Sequence, residues 1–93
     1  MSAGTLILQA ARERISDPHC QFMIHYGYEW SGGEARTARR YNEHYQRLEK
    51  TVCSLYARRA QQTFEIMDQL LDRDTFMTAD EAIGYGLLDR VVE

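Results

Sequence analysis

Proline occurs once, tryptophan once and cysteine twice among 93 residues, and the six glycines fall into no repeat. That poverty excludes collagen-like and low-complexity sequence. Two cysteines in a chain of this size build no disulfide framework. Cys20 and Cys53 also lack metal-ligand spacing, so they read as buried thiols of a chain in a reducing, cytoplasmic compartment. A zinc ion held by His19, Cys20 and distant partners is the alternative. Basic charge is in deficit, eleven residues against fourteen acidic ones, for a formal net charge of -3. A nucleic-acid binder normally carries the opposite surplus, so no nucleic-acid partner is expected. Long apolar runs are missing as well, and none approaches the roughly eighteen residues of a membrane span. Leu6-Ile7-Leu8 is too short, and lacks the basic flank, for the core of a signal peptide. No membrane partner is expected. What is present is an ordinary globular composition, 44% hydrophobic and 27% charged. It is enough for one small domain, too little for two, and too apolar for a wholly disordered chain.

Five segments follow along the chain. Residues from about Ser2 to Arg14 are apolar and alanine-rich and predict a helix, which Ser16-Asp17-Pro18-His19 ends with turn chemistry. Gln21-Phe22-Met23-Ile24-His25 is a short apolar run bounded by turn signals and predicts a buried strand. Tyr26 to Gly33 holds three glycines and three aromatics and reads as a loop or irregular hairpin. From Glu34 to about Gln61 there is neither Gly nor Pro, and Ala38, Tyr41, Tyr45, Leu48, Val52 and Leu55 recur every three or four positions. That spacing predicts one long amphipathic helix with arginines on its other faces. A second helix is expected over Thr63 to Leu71, interrupted by Asp72-Arg73-Asp74-Thr75. Thr78-Ala79-Asp80-Glu81 fits a capping box, Gly86 a C′ glycine, and Leu87 to Val92 a final strand. The two strands, joined through helices, are expected to run parallel within a larger sheet. The chain therefore reads as the second half of an α/β domain.

Ser2, His25 and Asp74 form the constellation with chemical potential. A serine becomes a nucleophile with a general base beside it, and the base needs an acid to hold its tautomer. Ser2 opens a helix beside Ala3 and Gly4, where free amides favour a developing oxyanion. His25 closes a strand and Asp74 lies on a loop, the places where α/β sheets put their sites. Each residue also has a plain structural reading: Ser2 as an N-cap, His25 as a hydrogen-bonded strand-end histidine, Asp74 as a solvated partner of Arg73 or Arg90. His19 and His44 read as loop and helix-surface residues. Arg36, Arg39, Arg40, Arg47, Arg58 and Arg59 read as a solvated or subunit-facing surface. Tyr26, Tyr28 and Trp30 fit either a substrate platform or a loop folded onto the core.

The run from Arg73-Asp74-Thr75-Phe76-Met77-Thr78-Ala79-Asp80-Glu81-Ala82 to Tyr85-Gly86-Leu87-Leu88-Asp89 resembles the C-terminal signature of the Clp protease proteolytic subunit. Phe22-Met23-Ile24-His25 resembles that family's histidine motif, and Met1-Ser2-Ala3-Gly4 its serine motif. The three occur in the family's order over essentially the whole chain. The Ser, His, Asp order also differs from those of the chymotrypsin, subtilisin and α/β-hydrolase types.

The resemblance implies an α/β fold, part of the Clp/crotonase-like architecture, with a long handle helix and short parallel strands. Ser2 would be the nucleophile, His25 the general base and Asp74 its orienting acid, with the Ala3 amide as one oxyanion donor. Arg73 matches a position used for contacts between rings. No metal or cofactor is implied for the peptidase itself. The implied partners are an unfolded polypeptide substrate, an AAA+ ATPase unfoldase that consumes ATP, and further copies in a homo-oligomeric ring. Two departures stand out. Tyr26-Gly27 follows the histidine where the family usually has Gln-Pro. The family's region before the serine motif, with its second oxyanion donor, has no counterpart here, so residues 1–93 are expected to be the C-terminal portion of a single peptidase domain. Alternatives are an inactive ring subunit or fragment, and a crotonase-like acyl-CoA enzyme fragment, because the C-terminal signature is shared with crotonases.

Overall fold

The computed structural model describes the backbone of residues 2–27 and 34–92, and side chains from Gly4 onward within those ranges. The order is α1 (Ser2–Leu8), β1 (Ile15–Ser16), β2 (Gln21–Ile24), α2 (Ala35–Ala60), α3 (Phe64–Leu71), β3 (Thr75–Thr78), α4 (Ala79–Gly84) and β4 (Arg90–Val91). The architecture is mixed α/β, with one long helix and short strands. Tyr28 and Trp30, read as either a substrate platform or a loop folded onto the core, lie outside the described residues.

The two strands expected from sequence do not pair with each other. β2 runs antiparallel to β3, and β4 runs parallel to β1, giving two separate two-stranded sheets. β1 and β3 went unread because each is so short that turn chemistry masks it. Thr75-Phe76-Met77-Thr78 sits between the Asp72–Asp74 turn and a capped helix, and only Met77 in it is buried. Its β-branched and aromatic content was the signal available. The final strand shortens to two residues.

α1 is also shorter than its apolar, alanine-rich sequence suggested. It stops at Leu8, and the chain turns so that Gln9 and Arg14 go inward. The Arg14 guanidinium donates to Asp89 Oδ1 at 2.8 Å, to Gln9 Oε1 at 2.7 Å and to the Gly86 carbonyl at 2.7 Å. The Gln9 amide nitrogen donates to the Thr5 and Leu87 carbonyls. A helix running on to Arg14 would forfeit this buried network. Its satisfied polar groups compensate the cost of burying a guanidinium.

α2 confirms the long helix but not the face assigned to the core. Its buried residues are Cys53, Tyr56, Ala57 and Ala60, all in its last third. Tyr41 and Leu55 of the expected stripe are exposed, and Ala38, Tyr45, Leu48 and Val52 are only half-buried. The period of the helix is local, whereas the covered face depends on where the rest of the chain lies. Cys53 is fully buried as expected, but Cys20 is exposed; both are free thiols. The Pro18 turn leaves Cys20 beyond the core, just before β2.

The caps expected at Thr78 and Gly86 are present, and Thr63, expected inside the second helix, is its N-cap instead. Thr63 Oγ1 accepts from the Ile66 amide to start α3. Thr78 and Glu81 form the full capping box of α4. Gly86 ends α4 with φ +82°, its amide donating to Ile83 and that of Leu87 to Ala82, a Schellman closure. The core beneath these elements gathers Phe22, Ile24, Tyr56, Met67, Leu70, Leu71, Met77, Leu87 and Leu88. Among the described residues, no helix is long and apolar enough to cross a membrane.

Candidate active site

β2 alternates exposed and buried positions, so Phe22 and Ile24 anchor it in the core and the strand delivers His25 at its end. The antiparallel register pairs Gln21 with Thr78, Phe22 with Met77, Met23 with Phe76 and Ile24 with Thr75. The next positions along both chains are His25 and Asp74. Their side chains meet there, with His25 Nδ1 3.3 Å from Asp74 Oδ1. Neither is buried: the side chains are 28% and 64% exposed. An imidazole whose Nδ1 faces a carboxylate presents Nε2 as the proton acceptor, the arrangement a general base requires.

Two further segments close around this rung. The Tyr26 amide donates to the Leu71 carbonyl at 3.0 Å, and the Tyr26 hydroxyl donates to Asp68 Oδ1 at 2.5 Å. Burial, followed by the Asp68 carboxylate, pushes the Tyr26 phenol well above its ordinary range. Both effects favour the protonated hydroxyl that donates to Asp68. Below it lies the Cys53 thiol, raised chiefly by its own burial, which donates to the Phe64 carbonyl at 3.4 Å. Gly27 has φ +71°, and a Cβ at this position would collide with the His25 ring.

Ser2 and Ala3 occupy the first two positions of α1, so their backbone amides are among those that a helix start leaves without intrahelical partners. Their side chains lie outside the described residues. α1 packs on β2, with Thr5 Oγ1 donating to the Met23 carbonyl at 3.2 Å. The helix that begins at Ser2 is thereby fastened to the strand that leads into His25. A groove of about 360 Å³ runs between α1 and β1–β2, lined by Gly4, Leu8, Ile15, Cys20 and Phe22 among others. The roomier cavity, about 430 Å³, lies between α1 and the end of α2 and includes neither His25 nor Asp74.

Comparison with known families decides the membership. The family model described as Clp protease matches residues 1–93. This chain belongs to the Clp protease family. Its function is accordingly of the protease family, and the mixed α/β architecture with its long helix accords with part of the Clp fold. Arg73 is exposed on the turn before Asp74, its carbonyl accepting from Thr75 Oγ1. Asp74 faces His25 rather than Arg90, which pairs with Glu13 at 2.8 Å. Among the described residues, no group of three or more His, Cys, Asp or Glu side chains is placed to hold a metal ion.

Sequence reading missed Gly27 and Asp68. Gly27 was read as a loop glycine and as a departure from the family's Gln-Pro, but not as the residue that leaves room for the ring. Asp68 lies mid-helix, and no sequence pattern ties it to Tyr26.

Proposed function

We propose that this chain is a serine endopeptidase subunit of an ATP-dependent Clp protease, cleaving unfolded polypeptides through Ser2, His25 and Asp74. The observation that carries this reading is the 3.3 Å approach of His25 Nδ1 to Asp74 Oδ1 at the open end of the β2–β3 ladder. A pair so exposed adds little to stability, so loss of its chemical role is expected to show in activity and not in folding.

In this reading the Ser2 hydroxyl attacks the scissile carbonyl carbon while His25 Nε2 takes its proton. Asp74 steadies the resulting imidazolium, and the Ala3 amide donates to the oxyanion. The imidazolium then gives its proton to the leaving amine as the C–N bond breaks. Water, deprotonated by the same nitrogen, hydrolyses the acyl-serine. Arg73, exposed beside the site, would contact a neighbouring ring. An AAA+ unfoldase would feed the substrate, and further copies of the chain would form the ring.

A fluorophosphonate probe, which phosphonylates activated serines, tests the proposal on the assembled protein. Labelling that maps to Ser2 and vanishes in Ser2→Ala and His25→Ala is the expected result. Wild-type protein that is folded and assembled yet labels no more than Ser2→Ala would overturn it. Acyl-CoA binding by such unlabelled protein would favour the crotonase-like alternative.

A further inference from the structure

The β2–β3 register fixes where the His25 backbone lies, but an imidazole on two rotatable bonds still has several directions open to it. Two neighbouring residues bear on which direction it takes. At Gly27 a Cβ would lie 2.6 Å from His25 Cε1, 3.0 Å from Nδ1 and 3.3 Å from Nε2. The ring therefore occupies the space that a side chain at position 27 would take. The left-handed φ of +71° turns the chain so that this bare Cα faces the ring.

Tyr26 secures the same segment from the other side. Its amide and hydroxyl reach Leu71 and Asp68, both in the C-terminal half of α3, the helix that leads into the Asp74 turn. That turn is folded in its own right by Thr75 Oγ1, which donates to the Leu70 carbonyl. The rung holding His25 and Asp74 is thus bounded by the strand ladder on one side and by Tyr26–α3 contacts on the other.

We propose that Tyr26 and Gly27 are positioning residues that aim the His25 imidazole at Asp74: Gly27 supplies the slot for the ring, and Tyr26 ties the strand end to the helix preceding Asp74. The catalytic meaning of this device rests on the serine-peptidase reading above. The raised Tyr26 phenol supports it, because the tie to Asp68 does not come undone by ionisation in the working range.

The test reads the tautomer of His25 directly by long-range ¹H–¹⁵N NMR on the full chain labelled in its three histidines, with His25→Gln assigning the signal. A free imidazole favours the Nε2–H form, whereas one aimed at Asp74 carries its proton on Nδ1. Wild type is expected to show the Nδ1–H pattern for His25, unlike the exposed His19 and His44. Gly27→Ala is expected to shift His25 to the free pattern and to slow probe labelling of Ser2 about 10²-fold, the scale of an ångström-level misplacement. Tyr26→Phe shifts it part of the way, and Asp68→Asn, which keeps an acceptor oxygen, preserves the wild-type pattern. If Gly27→Ala fails to fold, Tyr26→Phe carries the test, since it removes one hydroxyl only.

The proposal is overturned if folded Gly27→Ala and Tyr26→Phe both keep the full Nδ1–H pattern, or if wild type lacks it. Wild type that shows the pattern without labelling at Ser2 overturns the peptidase reading alone and leaves the positioning intact.

Discussion

His25 and Asp74 stand one rung beyond Ile24 and Thr75, the last pair of the β2–β3 ladder, with Nδ1 and Oδ1 3.3 Å apart. The ladder, and not a loop, brings them together. A register slip of one residue would turn every β3 side chain to the opposite face and carry Asp74 away from His25. Burial of Ile24, Phe22 and Met77 guards against that slip.

Asp74→Asn is expected to lower labelling and peptidase activity by up to roughly 10⁴-fold, because the amide favours the wrong histidine tautomer. Stability should change by less than about 1 kcal/mol, since the carboxylate is largely exposed. Probe kinetics and denaturant unfolding on the same samples separate the two effects. Loss of fold in parallel with activity would assign Asp74 a structural role.

Gly86→Ala is expected to destabilise the chain by more than roughly 2 kcal/mol. A left-handed residue other than glycine costs about 1–2 kcal/mol by itself. The added Cβ would also meet the Ala60 carbonyl oxygen at 2.2 Å, a backbone atom held by the end of α2. Urea unfolding with an unchanged slope checks the magnitude.

Asp89 stabilises the fold in a pH-dependent way. Its carboxylate accepts from the Arg14 side chain and backbone, and those bonds hold its pKa well below the usual range. A carboxyl depressed in the folded state contributes its full stabilisation above its unfolded value of about 3.9. The contribution is lost as pH falls from there through the folded value. Asp89→Asn should therefore unfold at lower temperature than wild type at pH 7. The gap should narrow steadily below about pH 4 in thermal melts.

Thr78→Ala removes one half of the capping box and is expected to cost about 1 kcal/mol, while Thr78→Ser retains most of it. Glu81→Gln keeps an oxygen to accept from the Thr78 amide and should cost less than Thr78→Ala. Because Thr78 also ends β3, the Thr78→Ala loss is best read by denaturant titration, with hydrogen exchange of the α4 amides localising it.

Helix periods, caps and turn residues were legible because their causes lie within a few residues. The α2 pattern, the Thr78 cap, the Gly86 terminator and the Asp17 turn all depend on local spacing and backbone preference. Strand partners were not legible. β1 and β3 are too short to show a period, and their partners lie dozens of residues away. The face of α2 that packs was misread for the same reason, since a stripe of tyrosines and leucines does not say what will cover it.

The sequence by itself determined α2, α3 and α4, because helix period and caps are local, and it marked His25 and Asp74 as candidates through their placement and the motifs they sit in. Tertiary structure alone decided that these two side chains meet, that Gly27 leaves room for the imidazole, and that Arg14 is buried against Asp89. Each of those depends on strand register or chain reversal, which long-range packing sets and neighbouring residues do not encode.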